Sequence, residues 1–230
     1  MEKSGLKILV LIPARGSSKS IKFKSLTKIK GRSILEISFN VVKNLGISKN
    51  IFCSTESKKI ENVCKKIGLK VIKRPKHLSK DNTNVFYVAK HAINYLKKKK
   101  KFFDYILLLQ ATYLFLNKKD ITGAINKLNN KNFTSCLTLH RTPHMYHYLN
   151  TRIIKGNIVK FKFNKLRVRK YNKQKKDVTY HFGNLVITKI KSFLKEKTFF
   201  TKRSTFFIIN RFSSFDLDDK NDLNYLKNFK

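Results

Sequence analysis

Short runs of consecutive apolar residues alternate along this chain with longer stretches whose apolar positions return every three or four residues. The short runs predict strands buried on both faces and the longer stretches predict amphipathic helices. Their alternation predicts βαβ units around a mainly parallel sheet. Strands are expected over 7–13, 50–54, 70–72, 105–109, 134–139, 182–188 and 205–209, and helices over 33–44, 58–67, 84–98, 118–128, 189–194 and 220–228. In the helix over 84–98, Val85, Val88, Ala89, Ala92, Ile93 and Leu96 share one side. Between about 140 and 180 the pattern breaks into short alternating runs rich in basic and aromatic residues, with no long helix. That stretch is expected to be a β-rich insertion or arm on a single domain spanning 1–230, which shows no internal repeat and no low-complexity linker.

At 230 residues the chain is long enough to bury a proper core. Its three cysteines, Cys53, Cys64 and Cys136, form no CxxC pair, which argues for reduced thiols and against a disulfide or zinc framework. Cys53 and Cys136 are expected as small core residues. The apolar run over 8–12 is far shorter than a membrane span and precedes no cleavage-site pattern. A cytoplasmic protein without signal peptide or transmembrane helix is expected.

The charge is extreme, with 52 Lys+Arg against 13 Asp+Glu and a formal net charge of +39. Such a field attracts nucleic acid, anionic membranes or anionic small molecules. The positive charge is mostly lysine, however, spread over nearly every segment among many Asn, Ile and Phe, which reads as compositional bias rather than a patch. Runs such as 97–101 are read as solvated helix ends, so neither a membrane nor a nucleic-acid partner is expected. In a chain so poor in acids, carboxylates that cluster stand out.

Residues 9–20 run an apolar strand into the small, basic loop Ala14-Arg15-Gly16-Ser17-Ser18-Lys19-Ser20. Small side chains let backbone N–H groups approach oxyanions, and Arg15 and Lys19 add positive charge; an ordinary surface turn is the competing reading. Near the other end stands Asp216-Leu217-Asp218-Asp219. Two aspartates one residue apart on an extended segment project to the same side and can share a hard cation such as Mg²⁺, while Asp219 is expected to cap the last helix. Gln110 and Thr112 end the strand over 105–109, at the carboxyl edge where ligands sit in open α/β sheets. Ser54-Thr55-Glu56 and the loop from Arg74 to Asp81 emerge at the same edge. His140, His144 and His147 have no cysteine or acidic neighbour and share no helix face, so they read as surface or interface residues, and His91 as structural.

These motifs, in this order, resemble the acylneuraminate cytidylyltransferases. Ile12-Pro13-Ala14-Arg15-Gly16-Ser17-Ser18-Lys19 is similar to that family's I-P-A-R-G-G-S-K, and Ser54-Thr55-Glu56 to its S-T-D. Arg74-Pro75 through Leu78, with Asp81 following, is similar to its R-P-x-x-L and later Asp. Leu108-Leu109-Gln110-Ala111-Thr112 is similar to its L-L-Q-P-T, and Phe215-Asp216-Leu217-Asp218 to its I-D-I-D. The resemblance implies a Rossmann-like nucleotide-diphospho-sugar transferase fold whose 140–180 segment serves homodimer contacts. It also implies coupling of CTP to a nine-carbon α-keto sugar acid, sialic acid or a related nonulosonate, with Mg²⁺ and release of pyrophosphate. By the same resemblance Arg15 and Lys19 hold the triphosphate on a loop that includes Ala14, Gly16, Ser17 and Ser18. Lys24 and Ser25 border the nucleotide and Arg74 helps place the cytidine. Gln110 and Thr112 meet the sugar acid, Asp216 and Asp218 bind the metal, and Arg15, Lys19 and Asp218 form the catalytic set.

The pattern departs from the family at Ser17 and Ser20, where it has glycine, and at Ser25, where it has asparagine. It departs again at Ala111, Tyr113-Leu114 and Leu116, which replace proline, Ser-Pro and an arginine. Gly183, by contrast, stands in register with the glycine of the family's N-G-A-I-Y strand, after the basic residues Arg167, Arg169 and 173–176. A chain that keeps the fold, has lost turnover and binds nucleic acid or acts as a scaffold is the alternative. Pyrophosphate release from CTP over a panel of nonulosonic acids separates the two.

Overall fold

The computed structural model describes residues 6–18, 20–46 and 48–228. From the amino end come β1 (Ile8–Pro13), the two-residue strands β2 (Lys28–Ile29) and β3 (Arg32–Ser33), α1 (Ile34–Lys43), β4 (Ile51–Thr55), α2 (Lys58–Ile67) and β5 (Lys70–Lys73). The middle of the chain forms α3 (Val85–Lys98), β6 (Tyr105–Leu109), α4 (Lys118–Lys127) and β7 (Ser135–Arg141). Then follow β8 (Arg152–Lys155), β9 (Ile158–Phe161), α5 (Asn164–Arg169), β10 (Tyr180–Lys189), α6 (Ile190–Glu196), β11 (Ser204–Ile208) and α7 (Lys220–Asn228).

Seven of these strands form one sheet in the order β11-β7-β10-β6-β1-β4-β5. Leu9 to Ile12 of β1 are fully buried, because helices cover both faces of the sheet. Alternation divides the strand between two cores. Ile8, Val10 and Ile12 pack with residues of α1, α2, α4 and α7, while Leu9 and Leu11 pack with α3 and α6. Each such side chain contributes about 1.5–3 kcal/mol relative to exposure. Polar residues start the helices from outside: Ser33 Oγ accepts the Glu36 N–H, Asn84 Oδ1 that of Phe86, and Asn117 Oδ1 that of Asp120. The helices expected over 33–44 and 84–98 therefore begin one residue later, after their caps.

The sheet is mainly parallel, as the pattern predicts, with β10 antiparallel to both of its neighbours, β6 and β7. Tyr180 pairs with Arg141, and the Thr142 N–H donates to Thr179 O (2.9 Å), so the 142–179 excursion leaves and returns at the carboxyl end of β7. It contains the β8–β9 hairpin, on which Ile154, Ile158 and Val159 are exposed, and the short α5. His147, expected at the surface or an interface, is buried within the chain. Its Nδ1 accepts the Leu149 N–H (3.3 Å) and its Nε2 donates to Asp177 O (3.1 Å), so the ring ties together the two ends of the excursion. Cys53, Cys64 and Cys136 are free and buried. Among the described residues no helix is long and apolar enough to cross a membrane.

The register of β10 shifts between Phe182 and Val186, and Gly183 sits in that irregularity. A Cβ there would lie 2.7 Å from Thr138 Oγ1 and 2.9 Å from the Thr138 backbone carbon. Gly183→Ala is expected to cost about 1–3 kcal/mol through overpacking. A thermal melt superimposable on wild type would contradict this packing.

Candidate active site

Because β1, β4, β5 and β6 are parallel, the loops that follow them emerge at one edge of the sheet. There they enclose a cleft of about 380 Å³. Ala14, Arg15 and Ser18 of the first loop line it, with Lys24 and Ser25 beyond; Arg74, Lys80 and Asp81 come from the loop after β5. Gln110 and Thr112 at the end of β6, and Asp216 and Asp218 from the far end of the chain, add to the polar lining. The cleft wall thus carries Arg15, Lys24, Arg74 and Lys80 against Asp81, Asp216 and Asp218. That is nearly balanced, so the chain's large positive excess lies elsewhere. Lys19 falls outside the described residues.

The first loop is held by a carboxylate. Glu56, just past β4, accepts the Gly16 N–H at Oε1 (2.7 Å), and at Oε2 the Arg74 Nη2 (2.9 Å) and the Ser79 hydroxyl (2.9 Å). The same Arg74 nitrogen donates to Ala14 O (3.2 Å). Burial acts against the charge of Glu56, but the hydrogen bonds from Gly16 and Ser79 and the Arg74 guanidinium outweigh it and hold its pKa below the ordinary value. Gly16 also meets the start of α2, where a Cβ would come within 3.1 Å of Ser57 Cβ. Gly16 and Ser17 do not line the cleft, since Glu56 captures the Gly16 amide and the Ser17 hydroxyl reaches Ser79 O (3.4 Å). The sequence marks Glu56 by its motif and its place at the sheet edge, but not its role of holding the loop, because its partners Gly16, Arg74 and Ser79 are remote along the chain.

Arg15 pairs with Asp81 (2.8 Å) at a partly exposed site, an ion pair worth at most about 1 kcal/mol and readily exchanged for an incoming anion. Arg74 lines the cleft, but one of its guanidinium nitrogens is engaged by Glu56 and Ala14, so it builds the wall as well as facing the ligand space.

The two ends of the chain meet across this cleft. Ser20 Oγ and Lys24 Nζ each donate to Asp218 O (2.6 Å), and Lys24 Nζ lies 3.2 Å from Asp218 Oδ1. Leu217 points into the core between the two aspartates, so Asp216 and Asp218 both line the cleft, as the alternation of an extended segment dictates. Burial drives the Asp216 pKa upward; Asp218 adds to this, while a hydrogen bond from Thr112 and the charge of Lys24 offset part of it. Asp219 caps α7 as expected, its Oδ1 accepting the Asn221 and Asp222 N–H groups (2.7 and 3.0 Å). Of the positions that depart from the resembled family, Ser25 and Ala111 line the cleft, whereas Leu116 is buried in the core and does not.

Three cleft residues carry buried polar atoms without a hydrogen-bond partner, namely Arg74 Nε, Ser25 Oγ and Asp216 Oδ1. Orphaned polar atoms are costly in a fold and mark where a ligand makes hydrogen bonds. Among the described residues no cluster of three His, Cys, Asp or Glu side chains could hold a metal. Two carboxylates of one sign, one with an orphaned oxygen, fit Mg²⁺, which usually takes one or two carboxylates and completes its shell with water and substrate phosphates.

The chain is 30% identical over 229 residues to pseudaminic acid cytidylyltransferase of Campylobacter jejuni, covering 96% of this chain and 95% of that one. It is 26% identical over 218 residues to CMP-N,N'-diacetyllegionaminic acid synthase of Legionella pneumophila, covering 93% and 91%. Its fold is similar to that of CMP:2-keto-3-deoxy-manno-octonic acid synthetase in complex with CTP, with a TM-score of 0.66 and 11% identity over 96% of this chain and 97% of that one. With the cytidylyltransferase family profile matching residues 9–230, this chain belongs to the cytidylyltransferase family.

Proposed function

We propose that the protein couples CTP to a nonulosonic acid, giving the CMP-sugar and pyrophosphate. The observation that carries this reading is the convergence of Arg15, Lys24 and Arg74 with the Asp216–Asp218 pair and Gln110 on one cleft at the carboxyl edge of the sheet. Pseudaminic acid is the first choice of sugar, supported by the relative with 30% identity. The apolar residues exposed on the β8–β9 hairpin suit a homodimer contact, supported by the resemblance of this segment.

The anomeric hydroxyl of the sugar attacks the α-phosphorus in line. An O–P bond forms, the bond to the β-phosphate oxygen breaks, pyrophosphate leaves and the hydroxyl proton passes to solvent. Such a step needs positioning and charge neutralisation rather than a covalent enzyme nucleophile. Arg15 and Lys24 offer donors to the triphosphate, the orphaned Arg74 Nε offers one toward the cytidine, and the Ser25 hydroxyl borders the nucleotide. Asp216 and Asp218 would hold Mg²⁺, which supplies neutralisation of the phosphate charge. The Gln110 carboxamide, exposed at the end of β6, hydrogen-bonds the sugar acid.

Incubation with CTP, Mg²⁺ and a panel of nonulosonic acids tests the reading. CTP-dependent pyrophosphate release is expected with at least one member, and none from folded protein across the panel would overturn it. Gln110→Ala is expected to raise the KM for the sugar acid about tenfold, as for a lost polar contact worth 1–1.5 kcal/mol, and the KM for CTP less than twofold. An effect confined to CTP would remove Gln110 from the sugar side.

A further inference from the structure

We propose that Asn184 is a positioning residue for the aspartate pair, an inference that rests on the reading of Asp216 and Asp218 as metal ligands. Asn184 is fully buried beside Gly183, in the irregular part of β10. Its Nδ2 donates to Asp120 Oδ2 (3.1 Å) and to the carbonyl of Ser213 (3.0 Å), while its Oδ1 accepts the Thr138 hydroxyl (2.9 Å). Thr138 Oγ1 in turn accepts the Asn184 N–H (2.9 Å), which fixes which way the carboxamide faces. Asn117 Nδ2 completes the network by donating to Asp120 Oδ2 (3.0 Å) and Ser213 Oγ (3.2 Å). Asp120 is a buried carboxylate in the first turn of α4, where the helix dipole favours negative charge.

Ser213 lies three residues before Asp216. Further on, the Leu217 N–H donates to Thr112 O (3.1 Å) and Asp216 bridges Tyr113, while Phe215 packs its ring on Phe115 and Tyr225. The segment 213–217 is therefore a strap with polar fastenings at both ends and apolar contacts between. At its start Asn184 holds the Ser213 carbonyl, beside the contact of Asn117 with the Ser213 side chain. Without the Asn184 carboxamide, Asp120 Oδ2 and Ser213 O lose a buried donor, and the cheapest relief is for the strap to shift toward water. The aspartates move with it. No contact between Asn184 and substrate is required, because the residue acts through the backbone of Ser213.

The test compares wild type, Asp216→Asn, Asn184→Ala and the milder Thr138→Val, which removes only the hydroxyl that orients Asn184. Two quantities are read: Mn²⁺ affinity by calorimetry in the presence of CTP without sugar, and amide hydrogen exchange over 211–218. Asn184→Ala is expected to weaken Mn²⁺ binding about tenfold, as for lost outer-shell support, and to speed exchange at Leu217 while β1 and β6 keep their protection. Thr138→Val is expected to shift both readouts in the same direction and carries the test if Asn184→Ala does not fold. Wild-type Mn²⁺ affinity and wild-type exchange in a folded variant would overturn the proposal. Loss of Mn²⁺ binding in Asp216→Asn but not in Asn184→Ala overturns the positioning role alone. Mn²⁺ affinity that is the same in wild type and Asp216→Asn overturns the metal reading and the proposal with it.

Discussion

Asp216→Asn is expected to make the protein about a hundredfold slower and, in metal-free buffer, more stable. The first half follows from the cleft. One of two candidate metal ligands loses its charge, and neutralising the phosphates is worth several kcal/mol at the transition state, so the loss of about 2.7 kcal/mol implied by a hundredfold is modest. The second half follows from the pKa direction. Burial, with Asp218 adding like charge, raises the Asp216 pKa, so folding disfavours the charged form. The stability penalty is absent below the carboxyl's ordinary unfolded value, sets in as pH rises above it, and is complete once the raised folded value is passed. Asparagine keeps the shape and can still accept from Thr112 without the charge. Its melting temperature should therefore exceed wild type at neutral pH, with the difference vanishing on acidification below the ordinary carboxylate range. Asp218, whose side chain is 82% exposed, should show the activity loss without the gain in stability. Thermal melts with metal chelated, alongside turnover, check both halves. Normal turnover in Asp216→Asn would remove the metal assignment, and a lower melting point would remove the electrostatic account.

Glu56→Ala is expected to produce the opposite combination, losing stability and CTP affinity together. The Arg74 side chain is only 4% exposed, and removing its carboxylate leaves a buried guanidinium uncompensated. Breaking such a pair typically costs about 3–5 kcal/mol, which for a chain of this length lowers Tm by about 6–20 °C. The same change frees the Gly16 amide and unfastens the loop bearing Arg15 from the loop bearing Arg74. Glu56→Gln, which still accepts the Gly16 N–H, should lie between. Because the Glu56 pKa is depressed in the fold, its contribution is fully present above its unfolded value and is lost as pH falls through the folded one. A double-mutant cycle with Arg74→Met measures the coupling. A destabilisation below about 1 kcal/mol would show that the pair does not hold the loops.

Much of the frame is legible in the sequence because its signals are local. Tyr105 to Leu109 reads as a central strand since every side chain is apolar, and the structure places it between β1 and β10. Ser33 and Asn84, read as the first residues of their helices, turn out to be the caps just outside them. The motif order places Arg15, Gln110, Asp216 and Asp218 on one cleft, and they are found there. What escapes the sequence is decided by partners remote along the chain. The direction of β10 depends on where the 142–179 excursion returns, which no periodicity encodes. The burial of His147 depends on Asp177 O closing over it, and the turning of Gly16 from the cleft depends on Glu56. Leu116, which replaces an arginine of the resembled family, packs in the core, a burial that the motif comparison alone does not reveal.

The central claim is that the first loop and the aspartate pair serve the same nucleotide. Crystals grown with CTP and Mn²⁺ test it most directly, because the anomalous signal of manganese locates the metal independently of the protein. The account predicts a manganese peak between the Asp216 and Asp218 carboxylates, with the triphosphate against Arg15 and Lys24. Manganese or CTP bound elsewhere, with this cleft left to solvent, would contradict it.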